Sequence, residues 1–509
     1  MKAGFKTYAI LLGVVFLIGS TFNSGAFALL GPVQPWMISS NNVVVNGDIG
    51  GPMDIGNGYR WNVPVLTYGF DQSFLDFFGS NGVTAVQGAI QVLNDLPAAS
   101  QNALTNYPLN STKYNYAANA QSLIDLKSQT LSLLIQHMGL AQPIRNMFVL
   151  KQWTPEFLAF PSQWCDGSQT NWAIPNYIVQ RNFDPQTLLP SQNVNDVAYF
   201  GYVYSGLIGG YNNLTVSPED PYAPSYSTVA DLAINAGDFY TSLTYDDVGG
   251  LCYLLSTNNI NFEQLLPGVI GVGTNSNSFV NGARRPGVDK IQFIAQLVNS
   301  QSGAFLPTTN YYTDKYITNG AVQTQQMRRI ISQPDFLFTA ADVSTDFPNS
   351  SFTFRSDTSI WINNAAANGT ANGEGPGIIK SPIQINFSKQ TSSFYSTGKT
   401  SDEQAFSYPQ QFATFDDSTN SPIFYPQPQT ETNQLTMRMW LEQGVYPNWS
   451  IHGFEWKPIS LSGSTYVFQT STNLATWVNL FYVTNDGSIS TLLNQNPKSK
   501  NRFYRLIPQ

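Results

Sequence analysis

Histidine and cysteine are almost missing from this chain. It has two of each in 509 residues: His137 and His452, Cys165 and Cys252. So few ligands, so far apart, cannot make a Cys/His zinc site of ordinary spacing. Neither histidine lies near a Gly-x-Ser-x-Gly elbow, which leaves a serine triad unsupported. A cysteine nucleophile would need Cys165 or Cys252 as a free thiol beside His137. Charge is scarce as well. Only 11% of residues are charged, Lys plus Arg number 24, and the net charge is −8. With no basic stripe, nucleic acid is a poor partner, because phosphate-backbone binding needs clustered cations. An anionic membrane surface is poor for the same reason. No Gly-x-Gly-x-x-Gly or phosphate loop opens a helix, so nucleotide cofactors are unsupported. No EF-hand loop is present, although Asp-rich turns could offer oxygen ligands to calcium.

What is abundant is amide, hydroxyl and ring. Aromatics reach 14%, with 26 Tyr and 33 Phe. Such a surface suits an extracellular, β-rich protein. Residues 1–28 read as an export signal: Lys2 and Lys6, an apolar run from Tyr8 to Gly19, and a small-x-small site at Ala26-Phe27-Ala28. That run is shorter than the ~20 residues a membrane span requires. The rest, roughly 480 residues, is too long for a single core and predicts several domains. In an oxidising compartment Cys165 and Cys252 could pair, closing a loop whose entropy is worth about 4–5 kcal/mol, or remain buried thiols.

The clearest helix runs from Asp125 to Pro143. Leu123, Leu126, Leu131, Leu134, Ile135 and Met138 are expected on one helical face, Gly139 is suited to the C-cap, and Pro143 stops it. Upstream, Tyr59 to Phe70 reads as a strand. A helix capped at Ser80 or Asn81 follows it and ends near Asn94. Asp246 to Leu255 reads as a short buried helix. The resulting layout is an α+β domain over 29–346, a β-rich region over 347–426, and a C-terminal small β-sandwich over 427–509. The sandwich strands are expected at Thr436–Glu442, Ser450–Lys457, Ser464–Thr470, Trp477–Val483 and Arg502–Leu506.

Carboxylate-only chemistry survives this inventory, since a glycosidase needs two acids and no metal. The candidates are Glu219 with Asp220, and Asp246 with Asp247. The bland readings are a solvated turn between prolines for the first pair and helix capping for the second.

Two resemblances add to this. Tyr466 to Trp477 (Tyr-Val-Phe-Gln-Thr-Ser-Thr-Asn-Leu-Ala-Thr-Trp) and the closing Arg502-Phe-Tyr-Arg505 resemble the terminal module of exported proteins of Verrucomicrobia-like bacteria. That implies a secreted or surface protein with a fibronectin type III-like tail; the aromatics Trp477, Phe503 and Tyr504 themselves read as core plugs of a two-sheet unit, with a sugar-binding platform as the alternative. Arg60-Trp61, Leu66-Thr-Tyr68 and the helix bearing Ala89 resemble, more faintly, the opening of a matrixin-type metzincin. That resemblance implies zinc-ligand positions at Ser132, Gln136 and Gln142 and a general-base position at Leu133, with Gly139 retained. None of the four side chains can do that chemistry, and His137 lies one residue, about 100°, off the register. No cofactor or metal is expected.

The function expected is therefore an exported, non-catalytic surface or envelope protein with a structural or adhesive role toward polysaccharide or protein. The alternatives are a metal-independent polysaccharide hydrolase and a peptide-binding module on the degenerate protease scaffold.

Overall fold

The computed structural model describes residues 25–31, 51–157, 171–205 and 212–341, except 224–226, 232–233, 274–275, 277 and 300–301. It also describes 383–389, 394–396 and 411–426, and in the tail 435–443, 449–458, 465–471, 476–484, 490–493 and 503–508. The architecture is mixed α+β, rich in sheets and poor in helices.

Helix α1 spans Gln72–Asn94 and is really two pieces. Asp71 caps the first by accepting from the Phe74 N–H, and Gly79, at φ 57° and ψ −161°, breaks the helical path. The cap expected at Ser80 or Asn81 is corrected: the helix starts at Gln72, capped by Asp71, and Ser80 and Asn81 follow the break at Gly79. Phe74, Phe78, Val86, Ala89, Ile90 and Leu93 are buried on one face. They pack on a five-stranded sheet in the order Gln292–Ala295, Val65–Phe70, Phe336–Ala341, Ile383–Ser388, Phe394–Ser396. The first four strands are parallel and the last is antiparallel. Ring contacts bind the two layers: Phe74 with Phe70 at 5.0 Å, Phe78 with Phe387 at 6.1 Å, and Phe74 with Phe387 at 6.3 Å between centroids. Each such ring contributes about 1.5–3 kcal/mol by leaving water.

These contacts correct the expected domain limits. Residue 346 does not end the first unit. Ile383, Ile385 and Phe387 lie in the same core as Leu66 and Phe338. Gln411–Thr414 also pairs in parallel with Leu123–Asp125, far earlier in the chain. Tyr59–Val63 is buried as expected, but the strand proper begins at Val65. The expected strands Phe352–Arg355 and Ser359–Ile362 lie outside the described residues.

The leader boundary is affected too. Phe27–Gly31 is a wholly buried strand. It pairs with Leu140–Ala141, with Asn182–Phe183 and with Gly51–Pro52. A cut after Ala28 would remove Phe27 and Ala28 from this core.

Helix α2 is short (Tyr116–Ala120), and α3 (Leu126–His137) is the helix foreseen from Asp125. Asp125 accepts from the Ser128 N–H at 2.8 Å and the Ser128 hydroxyl at 2.6 Å, closing its N-terminus. Gly139 ends it at φ +116°, and a Cβ there would sit 2.1 Å from the Tyr59 carbonyl oxygen. Only glycine fits that crossing. The helix is buried on all sides rather than along one stripe, since Ser128, Gln129, Thr130, Ser132, Gln136 and His137 are buried with the leucines.

A second, antiparallel sheet runs Asn261–Glu263, Ala283–Arg285, Thr308–Thr318, Ala321–Ile331, Val269–Gly271. Buried arginines stitch this region internally and to the core. Arg60 meets Glu263 at 2.6 Å, Arg285 grips Asp314 through two nitrogens at 2.9 and 3.1 Å, and Arg329 pairs with Asp335. In the tail, two three-stranded antiparallel sheets form. One is Leu435–Gln443, Trp449–Pro458 and Ser490–Leu493; the other is Val478–Thr484, Thr465–Ser471 and Phe503–Pro508. Five of these six strands lie within about two residues of the expected ones, and Ser490–Leu493 was not anticipated. Trp477 is half-buried, Phe468 is buried, and the side chains of Phe503 and Tyr504 lie outside the described residues.

Candidate functional site

Of the residues singled out for chemistry, Ser132, Gln136 and Asp247 meet where α3, the turn Val229–Asp231 and helix α5 (Tyr245–Leu255) come together. Ser132 and Gln136 are one helical turn apart, hence on one face of α3. The Ser132 hydroxyl donates to the Val229 carbonyl at 2.5 Å, and the Gln136 amide donates to the Ala230 carbonyl at 2.7 Å. Both side chains are buried, as is Leu133. An open groove at these positions is what a protease-derived cleft would require; the chain's own backbone fills it. Gln142 stands apart from α3. It is half-buried at the N-cap of the short helix α4 (Pro143–Asn146) and makes no side-chain capping bond. His137 is fully buried, edge-on to Phe336 at 6.1 Å, and its carbonyl accepts from the Trp61 indole N–H. His452 lies in the tail strand Trp449–Pro458, and its side chain is outside the described residues.

Asp246 and Asp247 open α5, as a helix start favours. Thr244 is the N-cap, and its exchange with Asp247 forms a capping box. Asp247 does more than cap. Its carboxylate accepts from the Thr244 N–H and hydroxyl at 2.9 and 2.6 Å, and from the Val229 and Ala230 N–H groups at 3.0 Å each. It therefore ties α5 to the same turn that caps Ser132 and Gln136 from the other side. Asp246 points elsewhere, accepting from the Asn195 N–H at 2.6 Å. Burial holds both carboxyls above the ordinary carboxylate range, Asp246 far above, while the backbone donors pull the other way.

A third acid joins them that the sequence reading missed. Asp231 accepts from the Ile144 N–H and from the Thr228 N–H and hydroxyl, each at 3.1 Å. Burial lifts it to about 7, with the Asp247 charge adding to the rise. The spacing Thr228-x-x-Asp231 was the available signal, a local hydroxyl–carboxylate turn. Burial likewise lifts the α3 cap Asp125 to about 6.

The other acid pair is surface chemistry. Glu219 and Asp220 are exposed, Glu219 accepting from Gln192 and Asp220 from the Tyr222 N–H. The fold does not bring them to Asp246 and Asp247 as one cleft; they remain in a turn of their own. Among the described residues no group of three His, Cys, Asp or Glu side chains has metal-binding geometry. Cys252 carries a free thiol at the mouth of a small cavity lined by Leu93, Met138, Leu251, Ile291 and Phe293. Burial pushes that thiol up to about 11, so it is a poor nucleophile at neutral pH. Its expected partner, Cys165, lies outside the described residues.

Comparison of the chain with family models, with curated proteins and with solved structures returned no match.

Proposed function

We propose that this is an exported, non-catalytic protein of the cell surface or envelope that works by structure or adhesion. The observation that carries the reading is the fate of the buried acid pair. Asp247 has four donors from its own chain within 3.0 Å, and Asp246 points at backbone rather than at a cleft. Acids committed in this way hold elements together and are not free to move protons on a substrate. The hydrolase alternative is left with Glu219 and Asp220, which are solvated, and general acid work calls for a desolvated carboxyl. The peptide-binding alternative needs the face of Ser132 and Gln136, and that face is spent on the Val229 and Ala230 carbonyls.

Contact with a partner would fall to exposed rings and amides. Phe200 and Tyr202 stand side by side on one strand, centroids 5.8 Å apart, and Tyr222 and Tyr311 are also exposed. Flat rings beside hydroxyls and amides suit polysaccharide or another protein. Binding and turnover should be measured together, by co-sedimentation with insoluble polysaccharides and cell envelopes and by reducing-sugar release. The expected result is co-sedimentation that falls on Phe200→Ala with Tyr202→Ala, and no sugar release. Sugar release abolished by Glu219→Gln would replace this reading with the hydrolase.

A further inference from the structure

Of the three acids at the meeting of α5 and the Val229–Asp231 turn, Asp246 is the one with a buried oxygen left without a hydrogen bond. Its Oδ2 takes the Asn195 N–H, but Oδ1 is buried and closes no hydrogen bond. Removing a carboxylate oxygen from water without a partner is expensive, and the usual remedy is a cation or a full set of donors. Its charged neighbours make matters worse, because Asp247 and Asp231 both carry the same sign.

What Oδ1 faces is the beginning of the described chain. A Cβ built on Gly25 would lie 1.9 Å from Oδ1, so the carboxylate packs directly against the Gly25 backbone. The adjoining Ala26 N–H is near enough to favour the charged form, although it completes no hydrogen bond with Oδ1. Ala26 is itself fully buried, packed with Met147, Val194 and Tyr199, and it leads straight into the Phe27–Gly31 strand. The backbone nitrogen of Ala26 is thus held at the site of a missing counter-charge, just downstream of a segment that reads as an export leader.

We propose that maturation cuts the chain between Gly25 and Ala26, and that the freed α-ammonium of Ala26 is the counter-ion of Asp246. Water adds across the Gly25–Ala26 peptide bond, supplied with a leader-processing protease of the export route. Gly25 leaves as the carboxylate of the leader fragment, and the Ala26 nitrogen takes up protons to become an ammonium. A neutral amide N–H is replaced by a cation with three donors, and Oδ1 gains a partner. Glycine at position 25 supplies the small residue beside the cut, while Asn23 stands at the second position of the small-x-small pattern. The cut also spares Phe27, whose ring stacks on Tyr253 at 5.4 Å, and Ala28, which pairs with Asn182; a cut after Ala28 would discard both. The strand would then be anchored at its first residue by a buried ion pair joining it to α5.

The inference rests on the export reading of the leader, and the test separates the two. The full chain with its own leader is exported, purified, and analysed by intact mass and N-terminal sequencing. The expected first residue is Ala26. Any other cut site, or an exported chain left uncut, overturns the clamp alone, while a chain retained inside the cell overturns the export reading with it. A second measurement addresses the ion pair. Acylation of the α-amine at pH 7 should be at least about tenfold slower in the native protein than in the urea-unfolded protein, as a rise of one pKa unit dictates. Asp246→Asn should restore the fast rate if it folds. Equal rates in native and unfolded wild-type protein would overturn the pairing, whatever that variant does.

Discussion

Two regions of the same core bury acids and solve the problem differently. In the Asn261–Ile331 region, Glu263 and Asp314 each face an arginine, and Asp335 takes Arg329. Around α3 and α5, Asp231 and Asp247 are satisfied by backbone N–H groups and hydroxyls, and Asp125 accepts from Ser128 through one oxygen only. Guanidinium supplies a full charge and a planar fork, so a carboxylate can stay ionised out of water. Neutral dipoles supply less, and burial wins: the second set is displaced upward, Asp231 to about 7 and Asp125 to about 6. Burial alone does not decide how an acid behaves; the sign and number of its neighbours do.

The contrast can be tested hardest on the arginine side. Arg285→Ala leaves Asp314 buried without its bidentate partner and strips donors from the Glu263, Val280 and Asn281 carbonyls. The expected loss is about 3–5 kcal/mol in denaturant unfolding. A loss below that of a surface ion pair would mean the pair does not hold the sheet. On the dipole side, Asp247→Ala removes four accepted bonds and the α5 cap, for an expected loss of about 2–4 kcal/mol. Asp247→Asn keeps one oxygen acceptor and should cost visibly less; equal costs would show that packing, not hydrogen bonding, is what Asp247 provides.

The pH dependence separates the two regions without mutation. A carboxyl whose folded pKa lies above its unfolded value is protonated in the fold while the unfolded chain has already released the proton. Its favourable contribution is therefore present at low pH and lost as pH rises through the folded value. Asp125 and Asp231 should make the melting temperature fall between about pH 4 and pH 7.5 and level off above. Asp231→Asn should flatten the upper half of that slope. A melting temperature that rose through this window would show that the dipole-held acids stay charged. The smallest effect is expected at Ser132→Ala, about 1 kcal/mol, from the single bond to the Val229 carbonyl.

Local features were legible in the sequence because their causes are local. Asp125 stands three residues before the Ser128 N–H it accepts, and Gly139 marks the only backbone that can cross Tyr59. The same holds for the Asp246–Leu255 helix and for five of the six tail strands. The site was legible as a list of residues but not as a geometry. Ser132, Gln136 and Asp247 meet the one turn Val229–Ala230 from separate places in the chain. Asp231 went unnoticed because nothing near it in sequence shows that it is buried. For the same reason the limit drawn at residue 346 is crossed by core contacts, and the buried strand Phe27–Gly31 straddles the limit drawn at residue 28. Alternation and turns describe Phe27–Gly31 and Ile383–Ser388 equally well as free or as buried strands.

From its sequence alone this chain determined where α3 begins and stops, that its tail is rich in strands, and that it has too few imidazoles and thiols for ordinary metal or nucleophile chemistry. These follow from side-chain inventory and from bonds between residues a few positions apart. Only the tertiary structure decided that strands from residue 65 to residue 388 share one parallel sheet, that a segment beginning at Gly25 belongs to the core, and that one set of acids keeps cations while another does not. Those outcomes depend on which distant surfaces exclude water together, and no local pattern records that.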